Sequence, residues 1–123
     1  MSAKPQDITE KRGLKRWHLI FYLRVFDQDT GKLLGYIVDI STSGMMLISD
    51  QPLPVHKEYR LYVDVPQEEG PRERVFLKAL SLWSSKDVNP DFFDTGLRLL
   101  DLTMEQLYKV QLIIDDFKFH EQV

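Results

Sequence analysis

The chain of 123 residues contains no cysteine, which excludes a disulfide framework and thiolate sites for metals or redox chemistry. It has no apolar run near the roughly 20 residues that span a membrane, and the polar stretch from Met1 to Gly13 lacks the apolar segment of a signal peptide. Glycine and proline are few, at six each, so disorder is not indicated. These absences predict one cytoplasmic domain, not inserted in a membrane and large enough to bury a core.

Sequence patterns of common enzymatic sites are also missing. There is no P-loop and no G-x-G-x-x-G stretch. The three histidines are scattered without metal-ligand spacing, and the acidic stretch 87–94 lacks the spacing and the glutamate of a calcium-binding loop. The sequence therefore predicts a protein that is not an enzyme and has no metal site.

Positive charge is concentrated at the N-terminus. Residues 1–16 carry a net charge of +3, so the remainder carries −6 of the total of −3. General nucleic-acid binding usually needs a basic face, so we expect no nucleic-acid partner. The polar composition of residues 1–16 predicts a flexible arm, which suits one small anionic ligand or is simply a solvated tail.

Short apolar stretches in the middle of the chain are typical of β-strands. The stretch 59–65 alternates apolar and polar residues, which is the period of a half-buried strand. Even spacing and polar turns predict a mainly-β fold, a small six-stranded antiparallel barrel of split or Greek-key type. The predicted strands are 17–26, 33–40, 45–49, 59–65, 75–84 and 95–100.

The pattern becomes helical near the C-terminus. Thr103 and Gln106 match a capping box at a helix start. Apolar residues then recur at helical spacing, which predicts an amphipathic helix over 103–119 that closes a domain of residues 17–123. Leu112 and Ile113 widen its apolar face, and we expect part of this face to be exposed to a partner. The spaced residues are Leu107, Val110, Ile114 and Phe117.

Two short motifs are candidates for a binding site. Arg12 and Arg16 form an R-x-x-x-R just before the first strand, and Asp39, Ser41 and Gly44 form a D-x-S-x-x-G where the second strand ends. Arginine forks on an arm can pair with phosphate and with guanine O6 and N7. The aspartate and serine oxygens can accept guanine N–H groups, and the glycine permits a positive φ or a close backbone approach.

Together the motifs and strands resemble the PilZ family, whose members bind cyclic di-GMP. The resemblance covers about residues 8–119, including Trp83 in a late strand, Gly96 in the next strand and the terminal helix. It implies a receptor with cyclic di-GMP as ligand and no other cofactor. It also implies that ligand changes the conformation of the arm and so signals to an unidentified protein partner in bacterial motility, biofilm or virulence signalling.

The resemblance also implies roles for single residues. Arg12 and Arg16 are expected to grip guanine and phosphate, while Asp39 and Ser41 hold a guanine edge beside Gly44. Trp83 is expected either to stack on a base or to lie in the core. The secondary candidates are Lys11, Lys15, Ser43, Trp83 and Gly96.

Two other functions compete with this one. A PilZ-like adaptor that binds protein and ignores nucleotide is the main alternative, although both motifs are intact here. A nucleic-acid-binding barrel is a weaker alternative, because the body of the chain is acidic.

Overall fold

Six antiparallel strands close into a barrel in the computed structural model, which describes residues 16–119. The order around the wall is β1-β2-β3-β6-β5-β4, and β4 pairs with β1 to complete the ring. The mainly-β barrel with a C-terminal helix predicted from the sequence is therefore confirmed. The elements are β1 (Trp17–Asp27), β2 (Leu33–Ile40), β3 (Gly44–Ser49), β4 (Glu58–Val65), β5 (Glu73–Lys86), β6 (Phe93–Leu100) and α1 (Met104–Phe117).

Side chains alternate between the inside and the outside of the wall, as the period of a strand requires. In β4 the predicted alternation is confirmed, since Tyr59, Leu61, Val63 and Val65 are buried. The inward residues of the other strands join them in one apolar core. Fixing one face of every strand inside leaves the other face on the outer surface of the barrel.

Strand β1 contains an irregular segment that the sequence did not predict. His18 pairs with Asp39 and Leu23 pairs with Ile37, so five steps along β1 oppose two along β2. The three additional residues of β1 make a bulge larger than the usual single extra residue. Its central side chains are exposed on the outer surface: Ile20, Phe21 and Tyr22 are 51%, 61% and 51% exposed.

Helix α1 packs across the barrel and is capped as the sequence predicted. The Gln106 N–H donates to Thr103 Oγ1 at 3.0 Å, and the Thr103 N–H donates to Gln106 Oε1 at 2.9 Å. The helix buries Val110, Ile113 and Ile114. The expectation that Ile113 belongs to an exposed part of the helix face was wrong, because the helix turns that side chain into the core. No helix within residues 16–119 is both long enough and apolar enough to cross a membrane.

The cap at Thr103 gives a direct test of the helix start. We expect Thr103→Ala to lower the free energy of unfolding by about 1 kcal/mol, because the Gln106 N–H loses its acceptor. Urea denaturation of the full chain measures the change. Thr103→Ser keeps the oxygen and serves as the control, and an equal loss in both variants would contradict the role of the cap.

Candidate functional site

Two adjacent rows of side chains run from strand to strand at the D-x-S-x-x-G motif, one on the inside of the barrel and one on the outside. Ile40, Met45, Leu97 and Ser81 are successive cross-strand partners that face inward and are at most 1% exposed. The next row therefore faces outward. It consists of His18, Asp39, Met46, Gly96 and Trp83, again as successive partners on β1, β2, β3, β6 and β5.

Ser41 closes the tight turn between β2 and β3. Its Oγ accepts the N–H groups of Ser43 at 3.1 Å and Gly44 at 3.2 Å, and its own N–H donates to the Gly44 carbonyl at 2.8 Å. Ser41 is buried, whereas Ser43 is exposed. The Ser41 hydroxyl is thus used by hydrogen bonds to the backbone of the turn. Ser41 supports the surface beside Asp39 from a buried position.

Neighbouring groups approach the backbone so closely at positions 44 and 96 that both positions require glycine. Gly44 is not among the glycines with positive φ in the described part of the chain, which are Gly31 and Gly70. A Cβ at Gly44 would lie 2.6 Å from the Leu97 carbonyl oxygen of β6. A Cβ at Gly96 would overlap the indole of Trp83. Of the two reasons for glycine offered by the sequence, close backbone approach is therefore the one that applies at Gly44.

Trp83 lies on the outer surface of the barrel. A register shift between Ser81 and Trp83 in the β5–β6 pair brings the indole opposite Gly96, and 40% of the residue remains exposed. Its indole therefore covers Gly96, which has no side chain, and offers an apolar surface near Met46. A core position for Trp83, which the sequence left open, does not describe this structure.

Arg16 meets Asp39 at the edge of this surface. Arg16 Nη1 lies 3.2 Å from Asp39 Oδ1, and the two side chains are 46% and 20% exposed. Burial raises the pKa of Asp39, and the charges of Arg16 and His18 oppose that rise only in part. The carboxylate is thus a partly desolvated acceptor with unused capacity for N–H donors.

A second carboxylate lies close to Asp39. The Asp94 Oδ1 atom is buried and has no hydrogen-bond partner within residues 16–119. Burial, a hydrogen bond with the neighbouring carboxyl of Asp87 and the charges of Asp87 and Asp39 together raise the pKa of Asp94 to about 6. The Asn89 N–H is the main cause that lowers the pKa of Asp87. Of these two carboxyls, Asp94 is therefore the one that takes up a proton first as the pH falls.

The structure brings together only some of the predicted site residues. It places Arg16, Asp39, Ser41, Ser43, Gly44, Trp83 and Gly96 on one stretch of the wall. Lys11, Arg12 and Lys15 lie outside the described residues, so their part in the site stays a prediction.

Sequence reasoning missed three residues on this surface. Met46 is the cross-strand partner of both Asp39 and Gly96, Arg98 is the partner of Gly44, and Asp94 lies two residues before Gly96. The signal was available once a register was assumed, because residues paired with a motif position or two steps along a strand share its face. The register itself was not readable from the sequence.

The groups on this surface are suited to binding a ligand. They comprise carboxylate acceptors, the guanidinium groups of Arg16 and Arg98 and an apolar indole on an open surface. Within residues 16–119 no group of three or more histidines, cysteines or carboxylates could hold a metal ion. A flat ligand with N–H donors and a negative charge fits this combination of groups.

Comparisons with known proteins agree with this fold. The family model of the PilZ domain matches residues 10–115. Comparison with curated proteins finds no match. Among solved structures, the PilZ domain of YcgR from Escherichia coli, described with c-di-GMP, is 16% identical with a TM-score of 0.63, and the alignment covers 82% of this chain and 86% of that one.

Two longer proteins contain the same fold. The Bacillus subtilis inhibitor of motility (MotI/DgrA) is 16% identical with a TM-score of 0.65, and coverage is 82% of this chain and 49% of that one. The Borreliella burgdorferi PlzA protein, described in complex with c-di-GMP, is 14% identical with a TM-score of 0.52, and coverage is 93% and 52%. The chain thus spans about half the length of these two proteins.

The raised pKa of Asp94 predicts a pH-dependent stability. The folded state binds the proton more tightly than the unfolded state, so this contribution is complete below pH 4 and is lost as pH rises through about 6. We expect Asp94→Asn to be more stable than the wild type by about 1 kcal/mol at pH 7.5, after allowance for solvent screening and for Asp87.

Urea denaturation of both proteins at pH 4 and pH 7.5 checks this expectation. The advantage of Asp94→Asn should be present at pH 7.5 and largely absent at pH 4. An advantage that is equal at both pH values would show that the substitution acts through packing and not through the proton.

Proposed function

The chain belongs to the PilZ domain family, and from that premise we propose that it is a receptor for cyclic di-GMP. The ion pair between Arg16 and Asp39 is the observation that carries the proposal. It joins the last residue of the arginine motif to the first residue of the D-x-S-x-x-G motif, on the outer surface of the barrel. Two residues, one from each motif and 23 positions apart in the sequence, thus lie side by side in space.

The chemistry of guanine fits the groups on this surface. Guanine offers O6 and N7 as paired acceptors for an arginine fork, and its N1–H and N2–H groups need acceptors in return. Asp39 supplies those acceptors, and Arg16 together with Arg12 supplies the forks. The two phosphates of cyclic di-GMP add charge-assisted bonds to the same guanidinium groups.

Ligand binding would exchange partners at Asp39. An ion pair as exposed as this one contributes only about 0–1 kcal/mol, so separating it costs little. The guanine N–H groups would replace Arg16 at the Asp39 carboxylate, and the freed guanidinium would turn to the base or a phosphate. Donors at Asp39 would also stabilise the charged carboxylate, which burial disfavours.

The remaining candidates would shape the surface or add charge. Ser41 and Gly44 hold the turn beneath the ligand, and the exposed Ser43 hydroxyl is placed to meet a polar edge. The indole of Trp83 over Gly96 gives an apolar face on which a base can stack. Lys11 and Lys15 would add positive charge from the arm.

Signal output through a protein partner is the second part of the proposal. Ordering of the arm against the wall would change the surface near the start of β1, at a cost in conformational entropy that the new bonds must exceed. The exposed bulge residues Ile20, Phe21 and Tyr22 follow directly in the chain. They also favour the alternative function, an adaptor that binds protein without nucleotide.

Calorimetric titration of the full chain with cyclic di-GMP tests the receptor function. We expect micromolar or tighter binding, with Arg12→Ala and Arg16→Ala each weakening it by at least about tenfold, or about 1.4 kcal/mol. Asp39→Asn is expected to weaken binding as well, because one acceptor oxygen becomes a donor.

Arg60→Ala is the matched control. Arg60 is an exposed arginine in an ion pair with Asp29, away from the outward row of Asp39. The Arg60→Ala variant should bind cyclic di-GMP like the wild type. Absence of heat for the wild type at high ligand concentration would refute the receptor and leave the adaptor function.

A further inference from the structure

Three arginines surround one carboxylate on the β1–β4–β5 side of the barrel. Arg24 Nη2 donates to Asp64 Oδ2 at 2.7 Å, and Arg72 Nε donates to the same oxygen at 2.9 Å. Arg74 is the cross-strand partner of Asp64. Together with Phe26 and Tyr62 these residues line a cavity of about 410 Å³, here named the arginine cleft.

Two aromatic rings lie against two of the three guanidinium groups. Phe26 and Tyr62 are stacked with centroids 5.2 Å apart. The guanidinium carbon of Arg24 lies 5.5 Å from the Phe26 centroid, and that of Arg74 lies 4.6 Å from the Tyr62 centroid. A guanidinium over a ring keeps the N–H groups at its edge available, so the cleft presents fixed donors.

The charge of the cleft is not balanced by its own residues. Asp64 is buried, which alone would raise its pKa, but the hydrogen bonds from Arg72 and Arg24 together outweigh burial and lower it. The cleft therefore holds three positive charges and one negative charge, a net charge of two. Arg74 has no ion pair within residues 16–119 and is exposed to solvent.

The nearby glutamates form no ion pair with the arginines of the cleft within residues 16–119. Glu68 and Glu69 line a different cavity, between Phe21 and Phe117. Glu73 is ion-paired with Lys109 of the helix. Glu105 shares a neighbouring cavity with Arg74 but forms no ion pair with it. The positive charge of the cleft is thus not neutralised by a direct ion pair with any of these glutamates.

We propose that the arginine cleft is a second ligand site, which binds the phosphate monoester group of a phosphorylated ligand. A phosphate monoester carries about −1.5 to −2 charges at pH 7 and three acceptor oxygens, which match the net charge of the cleft and its three arginines. A carboxylate offers one charge and two oxygens, and it can satisfy only one fork bidentately. This site is separate from the surface around Asp39. On β1 and β5, the two strands that both sites share, the cleft uses Arg24 and Arg74, whereas the surface around Asp39 uses His18 and Trp83.

The competing role of the cluster is a lock on the short β1–β4 seam, which pairs only three residues of each strand. A lock requires Arg24, Asp64 and Arg72, but it gives no reason for Arg74 to remain without an ion pair. Arg74→Gln therefore separates the two roles. It removes a positive donor from the cleft while leaving both hydrogen bonds to Asp64 in place.

Nuclear magnetic resonance of the arginine Nε–H groups in the full chain tests the proposal. Titration with inorganic phosphate at constant ionic strength should shift the signals of Arg24, Arg72 and Arg74 and reach saturation. Arg60, an exposed arginine of β4 that is paired with Asp29, is the internal control, and its signal should not follow the titration curve of the cleft arginines. Arg74→Gln should weaken phosphate binding at least about fivefold, while its melting temperature without phosphate falls by no more than about 5 °C, from loss of the Tyr62 contact.

Phosphoserine and adenosine 5′-monophosphate then identify the source of the phosphate, with serine and adenosine as unphosphorylated controls. Equal binding of both phosphate compounds would assign recognition to the phosphate group alone, and tighter binding of one would identify the class of ligand. The proposal is overturned when the three cleft signals move no more than Arg60, or when Arg74→Gln binds phosphate like the wild type. Neither result depends on cyclic di-GMP binding at the other surface.

Discussion

The closed antiparallel register is the constraint on which the rest of the structure depends. It buries Ile40, Met45 and Leu97 as neighbours in one inward row. The adjacent row must then face outward, which brings Asp39 and Trp83 to one surface although 44 positions separate them in the numbering. A slip of one residue in any pair would send these side chains inside the barrel, so the core that stabilises the fold also assembles the site.

Small side chains allow the strands and the indole to pack at this surface. Gly44 lets β3 approach the carbonyl of Leu97, and Gly96 accepts the ring of Trp83. Ser41 satisfies two N–H groups of the turn with a single oxygen. The motif residues therefore act at two levels, since the serine and the glycines build the backbone platform and the charged residues at its edge remain available for a ligand.

Two carboxylates on the barrel wall show how the number of arginine partners sets the charge of a site. Asp39 has one partly exposed arginine beside it, and burial still raises its pKa. Asp64 receives hydrogen bonds from two arginines, and these lower its pKa despite burial. The first carboxylate remains ready to accept new donors. The second already accepts hydrogen bonds from two arginines and holds them in position at the arginine cleft.

The sequence by itself determined the mainly-β class, the six strands, the capped helix and the two motifs. These are local features, because strand alternation, helix capping and turn residues depend on neighbours only a few positions away. Predicted strand ends differ from the observed ones by up to two residues, as at β5, where the flanking polar residues extend the pairing to Glu73 and Lys86.

Only the tertiary structure decided which distant residues meet. The outward position of Trp83 follows from a register shift in β5, the burial of Ile113 from the docking angle of the helix, and the arginine cleft from the pairing of β4 with both β1 and β5. Each depends on contacts between strands that are far apart in the chain. A local pattern carries the period of a strand but not its partner or its register, and for that reason the sequence could name Asp39 while the fold alone could place Arg24, Arg72 and Arg74 around Asp64.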